Sequence, residues 1–318
     1  MERNKQNNMA ENPQNAAPAE KKPAKRHYTR RPKKAQPKAA PAAAPAAAVT
    51  PAQTVQPATA QPAKRRRKGG SAKPTGKIRI ASLGGLHEIG KNMTMIEYGD
   101  DIIVVDCGIA FPDEDMLGID LVIPDVTYLE KNKEKIRGIL LTHGHEDHIG
   151  SLPYVLRSIN PDIYGTALTL GIVEKKLSEH SLPHTPRLHT VQPGDTVQLG
   201  KLSAEFVRVN HSIADACAVA IRTPLGILFH TGDFKLDLTP VDGKMMDITR
   251  IGEIGNEGVL LLMCESTNAE RPGFTPSERT VGRSLADIFL KNKDKRLVIA
   301  TFSSNVHRVQ QILSLIHI

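Results

Sequence analysis

The run His143-Gly144-His145-Glu146-Asp147-His148 puts three imidazoles and a carboxylate within six residues. In extended backbone, side chains two positions apart point to the same side, so His143 and His145 can face one ion together. Asp147 and His148 follow at the junction where an apolar strand gives way to a helical pattern. Two imidazoles suit one zinc, and a carboxylate with a third imidazole suits a second metal beside it. Gly144 and Gly150 keep the loop tight enough for the donors to converge. Two metals need more than four donors, and later segments offer them. His211 follows the alternating stretch 202–209, and Asp233 follows the apolar stretch 227–231. A carboxylate at a strand end can bridge two cations about 3.5–4 Å apart. The expected chemistry is metal-assisted hydrolysis, with Asp147 and His148 as the catalytic pair and Asp147 orienting or deprotonating water.

The elements that must position these donors are readable from periodicity. Strands are expected at 77–83, 93–98, 102–106, 136–142, 195–211, 216–222, 227–231, 259–264 and 297–302. Helices are expected at 148–159, 168–182, 279–291 and from 307 onward. Meander-like strand pairs with helices between them point to an α/β layered sandwich. No GxGxxG opens a helix, so a dinucleotide fold is not expected. Val259–Cys264 reads as a buried strand from its apolar run. His87, His180, His184 and His189 read as incidental or surface residues, His230 as a core residue or a support behind the metal donors, and Glu146 as solvent-facing.

Composition divides the chain. Residues 1–76 hold 17 of the 42 Lys+Arg, only three acids (Glu2, Glu11, Glu20) and half of the 22 prolines. That segment cannot bury enough apolar surface to offset its chain entropy, so it is expected to be a disordered basic Ala/Pro-rich tail. Its clusters at Lys21–Lys38 and Lys64–Lys68 would attract a polyanion such as nucleic acid. The remainder is net acidic, so the overall +8 belongs to the tail. No apolar run approaches the roughly 20 residues of a membrane span, and no signal peptide is evident. Cys107, Cys217 and Cys264 give no disulfide framework and read as buried thiols in a reducing cytoplasm.

The ordered donor set, His-x-His-x-Asp-His followed by a later His and a later Asp, resembles the metallo-β-lactamase superfamily. Further segments narrow the resemblance to the bacterial ribonuclease J family, in the β-CASP branch. These are Leu83–Met93 (LGGLHEIGKNM), His143–Pro153 (HGHEDHIGSLP), Asn210–Ile213, Gly232–Lys235, Cys264–Gly273 and Ser303–Arg308. The resemblance implies a metallo-β-lactamase αββα sandwich over 77–270 and the beginning of an inserted β-CASP α/β domain over 271–318. Position by position, it implies one zinc on His143, His145, His211 and Asp233, and a second on Asp147, His148 and the bridging Asp233. Mn2+ or Mg2+ are the alternative metals. It gives Asp106 and Glu265 supporting roles and makes Ser304, Asn305, His307 and Arg308 expected RNA contacts. The implied function is a ribonuclease that hydrolyses phosphodiesters with a hydroxide activated by two metals. It would act 5′-to-3′ exonucleolytically and endonucleolytically, in messenger RNA decay and ribosomal RNA processing in the cytoplasm. A homodimer or homotetramer and RNA-degradation partners are implied as well. Another lactamase-fold hydrolase, acting on a thioester or lactone, and a non-catalytic RNA-binding piece are the rival readings. The family's last metal-ligating His and its closing strands would lie beyond Ile318. The chain therefore reads as a C-terminally truncated fragment, expected to be poorly soluble and slow on RNA.

Overall fold

The computed structural model describes residues 75–316, so the expected disorder of the basic tail lies outside the described residues. Alternating apolar runs build a first sheet of six strands in chain order: β1 (Ile78–Gly84), β2 (Met93–Tyr98), β3 (Asp101–Val105), β4 (Ile136–Leu140), β5 (Asp162–Gly165) and β6 (Arg187–Thr190). β1 to β3 are antiparallel, and β3 to β6 run parallel. A second sheet, in the order β11-β10-β9-β8-β7, contains β7 (Thr196–Leu199), β8 (Leu202–Arg208), β9 (Cys217–Thr223), β10 (Gly226–His230) and β11 (Val259–Met263).

Three cores define four layers. Ile103, Val105 and Leu140 of the first sheet meet Phe206, Val219, Ile221 and Leu228 of the second. On the far side of the first sheet, Ile102, Val104 and Ile139 pack under Leu152, Val155, Leu170 and Val173. These come from α3 (Leu152–Val155) and α4 (Ala167–Ser178). On the far side of the second sheet, Ala218, Ala220 and Phe229 pack under Ile254 of α5 (Ile248–Glu257). The period of two along β3 thus sends Ile103 and Val105 to one core and Ile102 and Val104 to another. The expected layered α/β sandwich is what the chain forms.

Several expectations change in detail. The helix expected at 148–159 is two short turns, α2 (Glu146–Ile149) and α3, separated at Gly150-Ser151. Pro153 has no N–H to donate back to Ile149 O, so it interrupts the helical ladder and sits in the first turn of α3 instead. The strand expected at 195–211 is the hairpin β7–β8, turning at Gly200-Lys201, where Leu199 pairs with Leu202. Gly200 has φ +65, and a Cβ there would lie 2.2 Å from Asp101 Oδ1. Four elements had no clear periodic signal: α1 (Thr127–Lys131), the strands β5 and β6 of four residues each, and α5. α5 begins at Asp247, whose side chain accepts the Arg250 N–H.

β11 is the largest correction. It forms, parallel to β10, but it lies at the sheet edge, and Leu260 and Leu262 are each 58% exposed. Cys264 beyond it is exposed too, whereas Cys107 and Cys217 are buried as expected. Residues 297–302 pair with no strand among the described residues. α6 (Glu278–Lys291) and α7 (Val306–Leu315) pack on each other through the ion pair of Arg308 with Glu278 (2.6 Å). No helix among the described residues is long and apolar enough to cross a membrane.

Candidate metal centre

The hexapeptide leaves the end of β4 in extended form, and His145, at φ −76 and ψ 151, precedes the first turn of α2. This keeps His143 and His145 on the strand-like side of the junction and puts Asp147 and His148 on the turn. Close backbone approach fixes the junction. Cys107 N–H donates to His148 O (2.7 Å), and a Cβ on Gly108 would lie 1.5 Å from Asp147 O. Only glycine fits at 108. The second sheet supplies the other donors from its strand ends: His211 after β8 and Asp233 after β10.

The donors converge in two overlapping trios, His143–His145–His211 and His143–His148–Asp233, each with its ligand atoms within 4.8 Å of one another. His145 Nδ1 lies 3.0 Å from His143 Nε2 and 3.1 Å from His211 Nε2. Asp233 divides its oxygens, with Oδ1 3.5 Å from His148 Nε2 and Oδ2 3.7 Å from His211 Nε2. Asp147 Oδ2 lies 3.6 Å from His148 Nε2.

Asp106 anchors the buried side of the cluster. It adopts φ 62 at the end of β3, a conformation that non-glycine residues seldom take. Its Oδ1 accepts the Thr142 N–H (2.8 Å), and its Oδ2 accepts the Thr142 hydroxyl (2.9 Å) and faces His148 Nδ1 (2.8 Å). Thr142 Oγ1 also reaches His143 Nδ1 (3.0 Å). Nδ1 of both histidines is thereby engaged, and Nε2 of each faces the cluster. Orientation of this kind by groups behind the donors is characteristic of metal-ligating histidines.

The electrostatics differ across the site. Burial holds His143 well below the ordinary histidine value and takes His211 down to about 4. His145 is lowered, again chiefly by burial. Burial also acts against His148, but Asp106 and Asp233 outweigh it and lift His148 well above the ordinary value. Burial works to raise Asp233, yet the surrounding histidines, His148 first, hold it below the usual carboxylate range. His143, His145 and His211 are thus kept neutral and Asp233 ionised, the forms that ligate a cation, whereas His148 would give up its proton to one.

The residues fit metal ions on geometry as well. Single protons cannot satisfy His145 Nδ1 against both neighbouring nitrogens at once. A tetrahedral zinc with bonds of about 2.0–2.1 Å holds its ligands roughly 3.4 Å apart, close to the spacing seen.

Other expected residues sit as follows. Glu265 Oε1 accepts the Phe234 N–H (3.0 Å), bracing the segment that carries Asp233. His230 Nδ1 accepts the Gly232 N–H (3.1 Å) in the same turn. Glu146 is exposed, as expected, and pairs at the surface with Lys176 of α4 (2.7 Å). His307 lines a cleft with His211 and lies 3.9 Å from Asp242. Asn305 caps α7 by accepting the Arg308 N–H (3.1 Å), Arg308 is held by Glu278, and the Ser304 carbonyl accepts the Val306 N–H (2.9 Å). These contacts give three of the four expected RNA-contacting residues a local structural job. Two site residues escaped the sequence reading. Thr142 lies two residues beyond β4, next to His143, and Asn92 stands in the quoted stretch Leu83–Met93.

A sequence profile described as the metallo-beta-lactamase superfamily matches residues 88–237, the span that holds every donor of both trios. The chain thus contains a metallo-β-lactamase domain. Among curated relatives, ribonuclease J of Synechocystis sp. is 50% identical over 240 residues, covering 75% of this chain and 37% of its own length. Ribonuclease J of Thermus thermophilus is 46% identical over 253 residues, 77% of this chain and 44% of its own. Ribonuclease J2 of Bacillus subtilis is 43% identical over 241 residues, 76% of this chain and 43% of its own. The chain thus spans well under half the length of these relatives. A crystal structure of a protein of unknown function from Enterococcus faecalis V583 shares the fold, with a TM-score of 0.58 at 20% identity. That match covers 76% of this chain and 63% of the other.

Proposed function

We propose that this chain acts on RNA as a two-cation phosphodiesterase of the ribonuclease J type. The observation that carries the reading is the pair of donor trios sharing His143, with Asp233 turned toward both His148 and His211. The named relatives across three-quarters of the chain favour RNA over a thioester or lactone as substrate. One cation, with zinc as first choice and manganese or magnesium as alternatives, would sit among His143, His145, His211 and Asp233. The other would sit among Asp147, His148 and Asp233. Bound cations of this kind acidify water and neutralise charge on a phosphate.

The chain's own residues supply the rest. Asp106 and Thr142 orient His148 and His143 from behind. Asp147 is half-exposed at the mouth of the site, where its carboxylate can hold a water and accept its proton. His307 lines the cleft beside His211 and would meet RNA there. Cleavage 5′-to-3′ and internally, in messenger and ribosomal RNA processing, is the activity proposed. Homo-oligomers, RNA-degradation partners and a cytoplasmic setting belong to the same proposal.

The test compares the parent chain with Asp233→Ala. Both are dialysed, analysed for metal and assayed on a 5′-monophosphorylated RNA with zinc or manganese. Asp233→Ala should lose more zinc than any single histidine variant and should lose cleavage. Zinc retention equal to the parent's would overturn the bridging role, and a parent that neither retains metal nor cuts RNA would overturn the reading itself.

A further inference from the structure

Asn92 touches more of the candidate second-cation site than any sequence motif assigns to it. It closes a loop, residues 84–92, bent by four left-handed backbone positions at Gly85, His87, Gly90 and Lys91. A Cβ on Gly84 would lie 2.1 Å from Lys91 O, and one on Gly85 would lie 2.6 Å from Asn92 Oδ1. Gly84 leaves room for the Lys91 backbone, and Gly85 leaves the room that the Asn92 side chain fills.

The backbone of Asn92 is tied on both sides. Its N–H donates to Asp147 O (3.0 Å), and its carbonyl accepts the Gly108 N–H (3.0 Å). Its side-chain Nδ2 then lies 3.1 Å from Asp147 O, 3.3 Å from Asp147 Oδ2 and 3.1 Å from His148 Nε2. A carbonyl and a carboxylate oxygen can only accept, so the atom facing them is the amide nitrogen and not its oxygen.

The other donors have their own supports. His148 and His143 lean on Asp106 and Thr142, and the Asp233 segment leans on Glu265. The Asp147 carboxylate takes its one side-chain hydrogen bond among the described residues from Asn92. We infer that Asn92 is a positioning residue for the second cation, aiming the Asp147 carboxylate by a donated hydrogen bond. This rests on the two-cation reading of the site. Groups behind the ligands typically change metal affinity 10–100-fold when removed.

The experiment titrates Zn2+ into the metal-free 318-residue chain against a chromogenic chelator and resolves the tighter and weaker binding steps. Parent, Asn92→Ala and Asn92→Asp are compared, with circular dichroism to verify the fold of each. Asn92→Asp keeps the shape and removes the donors, so it separates hydrogen bonding from space filling. Both variants should weaken one zinc by roughly 10–100-fold and leave the other within about twofold. Parent-like binding by either variant would overturn the inference, as would tighter binding by Asn92→Asp, which would make residue 92 a ligand. Equal weakening of both steps would reduce Asn92 to a general structural role and overturn it too. A parent that binds fewer than two zincs would sink the two-cation reading, and the inference with it, whatever the variants do.

Discussion

Strands β3 and β11 carry the same kind of sequence, an apolar run that leads to an acid, and the protein treats them differently. All five residues of β3 are buried, between β2 and β4 in the sheet and between the helical layer and the second sheet. Among the described residues β11 has a single strand neighbour, and four of its five residues are exposed. The acids that follow differ in the same way. Asp106 is buried and holds Thr142 and His148, whereas Glu265 is half-buried and holds two backbone N–H groups. An apolar run therefore specifies a strand, but the strand's place in the sheet decides how much its end can carry.

The contrast is sharpest in the acids. Asp106→Ala removes one partner of a buried pair with His148 and should cost about 3–5 kcal/mol of stability. Glu265→Ala should cost only about 1 kcal/mol, the worth of an ordinary hydrogen bond. Denaturant unfolding of the two variants measures both, and equal losses would erase the distinction. The next test concerns how β3 begins. Burial acts to raise the Asp101 pKa, but the Arg137 guanidinium and the Lys201 N–H outweigh it and hold the carboxyl below its ordinary value. Such a depressed pKa contributes stability that is present above the unfolded value, about 3.9, and lost as pH falls through the folded one. Asp101→Asn should therefore cost about 1–2 kcal/mol at pH 7, and the gap from the parent should begin to narrow below about pH 4 and close only below the folded value. A gap that does not narrow at all as pH falls from about 4 to about 2 would assign the effect to packing. The smallest effect belongs to β11. Leu262→Lys should change stability by no more than about 0.5 kcal/mol and should reduce self-association in sedimentation, because exposed apolar edges promote pairing. A loss of 2 kcal/mol or more would mean that this residue is covered in solution.

The hexapeptide, His211 and Asp233 were legible because their residue types are costly to place together without a ligand, and the structure brings them together. The central strands were legible because an alternating or continuous apolar run has few other uses. β5 and β6 were not, since four residues each give too short a period, and both lie among charged and histidine residues. The exposure of β11 was hidden because composition is blind to the number of neighbouring strands. Asn92 escaped because an amide carries no charge and no metal preference. Its importance comes from a looped backbone that brings it against Asp147, 55 positions away in sequence.

The donors also come from different halves of the chain. Four lie on one junction of the first sheet, and the other two, His211 and Asp233, hang from the second. An ion gripping both sets would act as a rivet through the sandwich, tying residue 143 to residue 233. A chain emerging from the ribosome could not close that rivet until β10 had been made and docked, so loading would come late in folding. Once closed, the rivet would resist the parting of the two sheets by an amount that grows with the logarithm of ion concentration. A chelator would then act on this protein as a denaturant as well as an inhibitor.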